Sequence, residues 1–129
     1  MPDAQLGSVS GLQKVGSTGL PGFTLINGSI NIFSWTPPND GNMHRVAIFS
    51  SLTVTSAETG GKIAVNFNDP SNTAQSRQLY GPGLGIGYNN PSSGSPLLVP
   101  VYPGVPVVLV QATALTVGAA QLWAEMWGS

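Results

Sequence analysis

The sequence contains no cysteine. A disulfide framework, a thiolate metal site and a cysteine nucleophile are therefore excluded. Charged residues are also scarce: they make up 7% of the 129 residues, against about 25% in an ordinary soluble domain. Because surface charge keeps a monomer soluble, this shortage favours a subunit whose surface is partly covered by other protein.

Basic residues are too few and too scattered for nucleic-acid binding, which needs them clustered against phosphates. They are Lys14, Arg45, Lys62 and Arg77, and the net charge is −1. No apolar run reaches the roughly 18 residues of a membrane span, and the first residues lack the basic and apolar segments of a signal peptide. We therefore expect a soluble protein made in a cytoplasm, without a nucleic-acid or membrane partner.

Glycine and proline, in contrast, are abundant and cut the chain into short segments, which is typical of an all-β fold. Seven to eight strands and no helix are predicted, forming an antiparallel β-sandwich or jelly roll. The predicted strands are 23–26, 30–35, a run from Val46, 62–67, a short one at 78–80, 97–102, 107–112 and 119–127. The Gly-rich stretch from Gly81 to Gly94 is predicted to be a long loop.

Two local patterns make the strand predictions specific. Asn27-Gly28 between two apolar runs indicates a type I′ hairpin. From Val46 the residues alternate, so that Val46, Ile48, Ser50, Leu52 and Val54 share one face. Prolines within Val99–Val110 favour edge strands or bulges there, because proline cannot donate to a ladder.

The first 22 residues are rich in glycine and serine and carry few apolar side chains. Residues 1–22 are therefore predicted to be an extended arm, and residues 23–129 the β-sandwich domain. Leu6, Val9 and Leu12 of the arm are candidates for contact with a neighbouring subunit. A frayed terminus is the alternative.

The residues that could act in catalysis or metal binding are better explained as parts of turns and loops. His44, the single histidine, lies near Asp40 but no nucleophile elbow accompanies it. The carboxylates are dispersed, so a glycosidase pair is not indicated. Residues 39–42 resemble a calcium loop only loosely and predict a turn, and the glycines of 83–87 lack the features of a phosphate loop. We expect no catalytic residue, cofactor or metal.

The last strand is predicted to be apolar on both faces. Trp123, Glu125 and Trp127 share one face, and Leu122, Ala124 and Met126 share the other. Trp is enriched at interface hot spots, so the Trp face is a candidate contact with a second subunit. A second face buried under a loop or the arm is the alternative. In either case Glu125 must reach water or a partner, because an unpaired buried carboxylate is costly.

The stretch from Val105 to Trp127 resembles the closing strands of small virion proteins of tailed bacteriophages, which are short, cysteine-free, charge-poor β-sandwich chains. The resemblance implies a structural protein of the virion, made in the host cytoplasm. It would be a capsid decoration protein that stabilises the head, often as a homotrimer, with a major capsid or other virion protein as partner. A tail or baseplate component is the close alternative. No catalytic residue is implied.

A carbohydrate- or surface-binding module is a separate hypothesis. Its stacking platforms would be exposed aromatic side chains, and the candidates are Trp123, Trp127, Tyr80, Tyr88 and Tyr102. Aromatics exposed in a row favour this hypothesis, whereas aromatics buried between subunits favour the structural protein.

Overall fold

Short alternating segments form nine β-strands in the computed structural model, which describes residues 11–20, 22–24, 26, 28–54, 62–80, 96–112 and 120–129. In this part of the chain no helix is long and apolar enough to cross a membrane. The strands are β1 (Gln13–Ser17), β2 (Phe23–Thr24), β3 (Ile30–Trp35), β4 (His44–Val54), β5 (Lys62–Asn68), β6 (Ala74–Tyr80), β7 (Leu97–Val101), β8 (Val107–Ala112) and β9 (Ala120–Gly128).

The strands form two antiparallel sheets. Sheet A has the order β1-β9-β4-β7, with β2 also beside β9, and sheet B has the order β3-β8-β5-β6. The pairs are nested along the chain: β1 and β2 pair with β9, β3 with β8, β4 with β7, and β5 with β6. This is the order of a jelly roll when β1 and β2 are counted as one interrupted strand. The predicted all-β sandwich is confirmed, with nine strands in the described residues.

The core lies between the sheets and follows from alternation. Val46, Ile48 and Leu52 are buried on the inner face of β4, as predicted, and Ile63, Val65 and Phe67 are buried on β5. Burying each such side chain contributes about 1.5–3 kcal/mol. The buried hydroxyls of Ser50, in sheet A, and Tyr80, in sheet B, lie 3.0 Å apart and join the two sheets by a hydrogen bond.

The predicted hairpin at Asn27-Gly28 is wrong. β2 belongs to sheet A and β3 to sheet B, so the chain crosses between sheets here; Asn27 itself lies outside the described residues. The Gln111 side chain, on β8, holds this crossing: its Oε1 accepts from Ile26 N at 3.0 Å, and its Nε2 donates to the carbonyl oxygens of Ile26, at 2.6 Å, and Gly28. The hydrogen bonds of this one buried side-chain amide thus hold Ile26 and Gly28 in place, where a hairpin would use main-chain bonds between its two strands.

Gln111→Leu should lower the free energy of unfolding by about 2 kcal/mol, because it leaves partly buried main-chain groups without partners. Gln121→Leu is the matched control. Gln121 is exposed and its Nε2 donates to Thr24 Oγ1 in the same region at 3.2 Å, so its loss should cost less than about 0.5 kcal/mol. Urea unfolding of both variants measures the difference, and equal losses would contradict the role given to Gln111.

Part of the predicted arm belongs to the sheet. Residues 13–17 form β1 and pair with β9, and Leu12 is only 7% exposed. Main-chain pairing does not require large side chains, so the low apolar content of this segment did not indicate a strand. The contact of residues 1–22 with a neighbouring subunit stays a prediction, and Leu6 and Val9 lie outside the described residues.

The proline interpretation holds for one strand and fails for another. β7, which contains Pro100, is an edge strand among the described residues, as predicted. β8 is central, between β3 and β5, because Pro106 precedes its first residue and removes no donor from the ladder. β6 is longer than the predicted 78–80. The Gly-rich stretch that follows it, residues 81–95, is not among the described residues.

Candidate functional site

The outer face of sheet A carries the largest side chains outside the core. Alternation along β9 buries Leu122, Ala124 and Met126 inside the sandwich, and turns the residues between them outward. The central position of β9, between β1 and β4, places these outward residues in the middle of the sheet. We call this surface the aromatic face; its residues are Lys14, Phe49, Leu98, Trp123, Glu125 and Trp127.

Strand register brings the aromatic face together. Trp127 lies between Ala47 of β4 and Lys14 of β1, and Ala47 faces Leu98 of β7. Phe49 lies opposite Glu125 in the next row. Although Ala47 points outward it is 0% exposed, so its larger neighbours close over it. Leu98 at the edge is 38% exposed, and the two Trp side chains are half-buried.

Glu125 has a partner for each carboxylate oxygen. Trp127 Nε1 donates to Oε1 at 3.1 Å, and Lys14 Nζ lies 3.6 Å from Oε2. Glu125 was expected to reach water or a partner, and it has two partners within the chain. Because both side chains of the ion pair are solvent-accessible, it contributes at most about 1 kcal/mol. The main effect of Glu125 is to hold the indole of Trp127 in one orientation on the face, through the hydrogen bond from Nε1.

The predicted contact residues divide into two groups. Trp123, Glu125 and Trp127 do lie together on the aromatic face, as the period-2 pattern indicated. Leu12 is buried within the chain at 7% exposure, and Leu6 and Val9 lie outside the described residues. Phe49 and Leu98 were missed, because only the pairing of β4 with β9 and β7 brings them beside the Trp residues.

Of the aromatic residues considered for stacking, Tyr80 is buried in the core at 1% exposure. Tyr102 is half-buried beside the end of β7, and its main-chain N donates to Asn68 O at 2.8 Å. Tyr88 lies outside the described residues. The candidates therefore do not form one exposed row in the described part of the chain.

His44 anchors the end of β9. It is 5% exposed, and its Nδ1 lies 2.6 Å from the main-chain oxygen of Ser129 while its Nε2 lies 2.8 Å from Asp40 Oδ1. The Ser129 hydroxyl accepts from Arg45 N at 3.1 Å and does not contact the imidazole as a nucleophile would. Asp40 Oδ1 also accepts from Asn42 N at 2.9 Å, so residues 39–42 form the expected turn.

These contacts favour the protonated, positively charged form of His44. Two oxygen acceptors flank the ring, and only the imidazolium can donate to both. The hydrogen bond to Asp40 raises the pKa of His44 above its ordinary value of 6.5. The hydrogen bonds from Asn42 N and from His44 lower the pKa of Asp40 below its ordinary 3.8.

Stability should therefore fall as the solution becomes alkaline. The folded chain holds the His44 proton more tightly than the unfolded chain, so this contribution is complete below about pH 6.5 and is lost as the pH rises through the higher folded pKa. The Asp40 contribution is lost in acid, as the pH falls through its lowered pKa. Denaturant midpoints measured from pH 5 to 9 should decline for the parent and stay nearly level for His44→Gln. A parent profile as level as that of the variant would contradict this account.

Within the described residues no group of three or more His, Cys, Asp or Glu side chains could hold a metal ion. Asp69, another turn carboxylate, is occupied by its own loop: Oδ1 accepts from Ser71 N at 2.9 Å and Thr73 N at 3.1 Å, and Oδ2 from Gln75 Nε2 at 2.9 Å. The hydrogen bond from the Ser71 hydroxyl, together with these bonds, lowers the pKa of Asp69. It closes the β5–β6 turn, as an aspartate directly after a strand often does.

Comparisons with known proteins give a distant likeness. No family model matches the sequence, and no curated protein matches it significantly. Among solved structures, the chain is similar to a chain in the structure of infectious bursal disease virus Gx strain, with a TM-score of 0.45 and 12% sequence identity. The match covers 91% of this chain and 30% of the viral chain. A likeness this distant does not bear on function.

Proposed function

We propose that the chain is a non-enzymatic structural protein of a phage particle, most directly a capsid decoration protein that binds and stabilises the head. The observation that carries the proposal is the aromatic face on the outside of a sandwich with very few charges. Aromatic residues are enriched in protein interfaces, and the carboxylate of this face, Glu125, is already paired with Lys14 and Trp127. The resemblance of the C-terminal strands to phage virion proteins supplies the kind of particle.

The jelly roll is compatible with this role without deciding it. The fold occurs in viral capsid proteins, in lectins and in cupins, and a fold does not by itself imply a function. A glycan-binding platform needs rings open to solvent. Here both Trp side chains of β9 are half-buried, and the indole N–H of Trp127 already donates to Glu125. The aromatic face therefore suits another protein surface better than a sugar.

Assembly into a small homo-oligomer, with three copies as the expected number, would cover the aromatic face of each subunit. The head surface then binds the oligomer through its remaining surface. Such an arrangement suits a chain with 41% apolar and 7% charged residues, since a large apolar patch on a monomer promotes association.

The purified chain should self-associate at micromolar concentration, with a particle mass near three times the 13.3 kDa of one chain. Light scattering or mass photometry measures this directly. Virions purified from the source phage should also contain the chain, as mass spectrometry can establish. A stable monomer together with virions that lack the chain would overturn the proposal.

A further inference from the structure

β6 forms a lateral edge of sheet B, since it pairs only with β5 in the described part of the chain. Its register with β5 is regular from Ala74 to Gln78, and the one irregularity comes after Gln78. All five residues from Ala74 to Gln78 are exposed, on both faces of the strand. An edge strand presents alternate N–H and C=O groups outward, so this stretch can accept a further strand.

Each of the other long edge strands carries a feature that hinders strand addition. β7 contains Pro100, which has no N–H. β1 has a register shift between Lys14 and Gly16, and β3 has one between Asn31 and Phe33. The stretch from Ala74 to Gln78 has neither a proline nor a bulge, and Arg77 is its only charge.

We propose that β6 pairs antiparallel with β6 of a second copy of this chain, about a two-fold axis at Ser76, so that sheet B continues into an eight-stranded sheet. In an antiparallel pair centred on one residue, that residue faces itself and its neighbours pair crosswise. Arg77 then lies opposite Gln75, and Gln78 opposite Ala74. A pair centred on Arg77 would instead set two like charges opposite each other, which is destabilising.

Charge is also compatible with the Ser76 register. Asp69 lies at the start of the β5–β6 turn, and Gln75 Nε2 donates to its Oδ2 at 2.9 Å. Because Arg77 of one copy lies opposite Gln75 of the other, the guanidinium approaches the end of the partner strand that carries the Asp69 carboxylate. At both ends of the symmetric contact an arginine of one copy and a carboxylate of the other therefore lie at the same strand end. Exposure on both faces leaves room for the second strand.

This two-fold contact uses sheet B and is independent of the aromatic face on sheet A. It does not rest on the proposed function, since a jelly roll of any role could use it. In an assembly that also associates through the aromatic face, the β6 contact would link neighbouring oligomers, at concentrations above the micromolar range in which the aromatic face alone associates.

Ser76→Cys tests the contact directly, because the chain has no other cysteine. Directly opposite residues of an antiparallel pair have Cα atoms about 4.5–5.5 Å apart, within the range that a disulfide spans. Mild oxidation should convert most of this variant to a covalent dimer on a non-reducing gel. Ser34→Cys is the control, since Ser34 is also an exposed serine and lies on β3, the other edge strand of sheet B. Cross-linking of Ser76→Cys no faster than Ser34→Cys would overturn the proposal.

Ser76→Lys gives a second measurement without a covalent bond. Two lysines opposite each other at the axis should weaken the pairing at least about tenfold in sedimentation equilibrium, while Ser34→Lys should leave it unchanged. Melting temperatures of both variants, at concentrations where the pair dissociates, should match the parent because both sites are exposed. Unchanged association of Ser76→Lys would refute the β6 contact and leave association through the aromatic face untouched.

Discussion

Gly128→Val should lower the free energy of unfolding by about 3 kcal/mol and the melting temperature by roughly 10 °C. A Cβ at Gly128 would lie 2.5 Å from Cζ3 and 2.6 Å from Cη2 of Trp35. Gly128 ends β9 in sheet A and Trp35 ends β3 in sheet B, so the indole of one sheet packs directly on the main chain of the other. Gly128 is held in place because it pairs with both β1 and β4, and a shift of the Trp35 ring would disturb its packing against the core.

Two comparisons separate this steric effect from a general loss of glycine. Gly19 has a φ of +73° and no atom within 4 Å of its Cβ position, so Gly19→Ala should cost only the roughly 1–2 kcal/mol of the left-handed conformation. Trp35→Leu should make room, so Gly128→Ala should destabilise this background less than it destabilises the parent. Thermal melts of the four chains in that cycle measure the coupling. Additive losses would mean that the two residues do not compete for space.

Local patterns predicted the elements of this fold better than their partners. The alternation of β4 identified its buried residues, because a strand places every second side chain on one face. Asn27-Gly28, however, lies between strands that pair with β9 and β8 and not with each other. In a jelly roll the first strands pair with the last, and a pattern of residues around a single turn cannot indicate such long-range pairing. The β5–β6 hairpin is local, but its second strand was predicted only at 78–80, because the exposed residues from Ala74 to Gln78 show no alternation between a buried and an exposed face.

The same distinction applies to the aromatic face. Trp123, Glu125 and Trp127 belong to one strand, so their shared face followed from spacing alone. Phe49 and Leu98 join them from β4 and β7 through long-range pairing. Ala47, which looked like an ordinary strand residue, is the small residue over which Trp127 and Leu98 close. Its role depends on both neighbours and is visible only in the assembled sheet.

Trp123→Ala should weaken self-association by at least about 2 kcal/mol, or roughly 30-fold in the dissociation constant, while leaving a folded subunit. Trp123 lies on the outer side of sheet A, opposite Ser51, and is absent from the core between the sheets. Truncating it therefore removes area from the aromatic face without opening a cavity in that core. Sizing across a dilution series measures the association, and melts at the lowest concentration measure the folding of the subunit.

The adjacent residue provides the matched control for Trp123. Leu122 points the other way, is 0% exposed and lies opposite Leu52 in the core. Leu122→Ala should cost about 2–5 kcal/mol of folding stability through the cavity that it leaves. If Trp123→Ala melts as early as Leu122→Ala, the indole is a folding residue and not an assembly contact. If Trp123→Ala both melts and assembles like the parent, the aromatic face is not an assembly contact, and a module that stacks sugars on exposed aromatics becomes the better account of these residues.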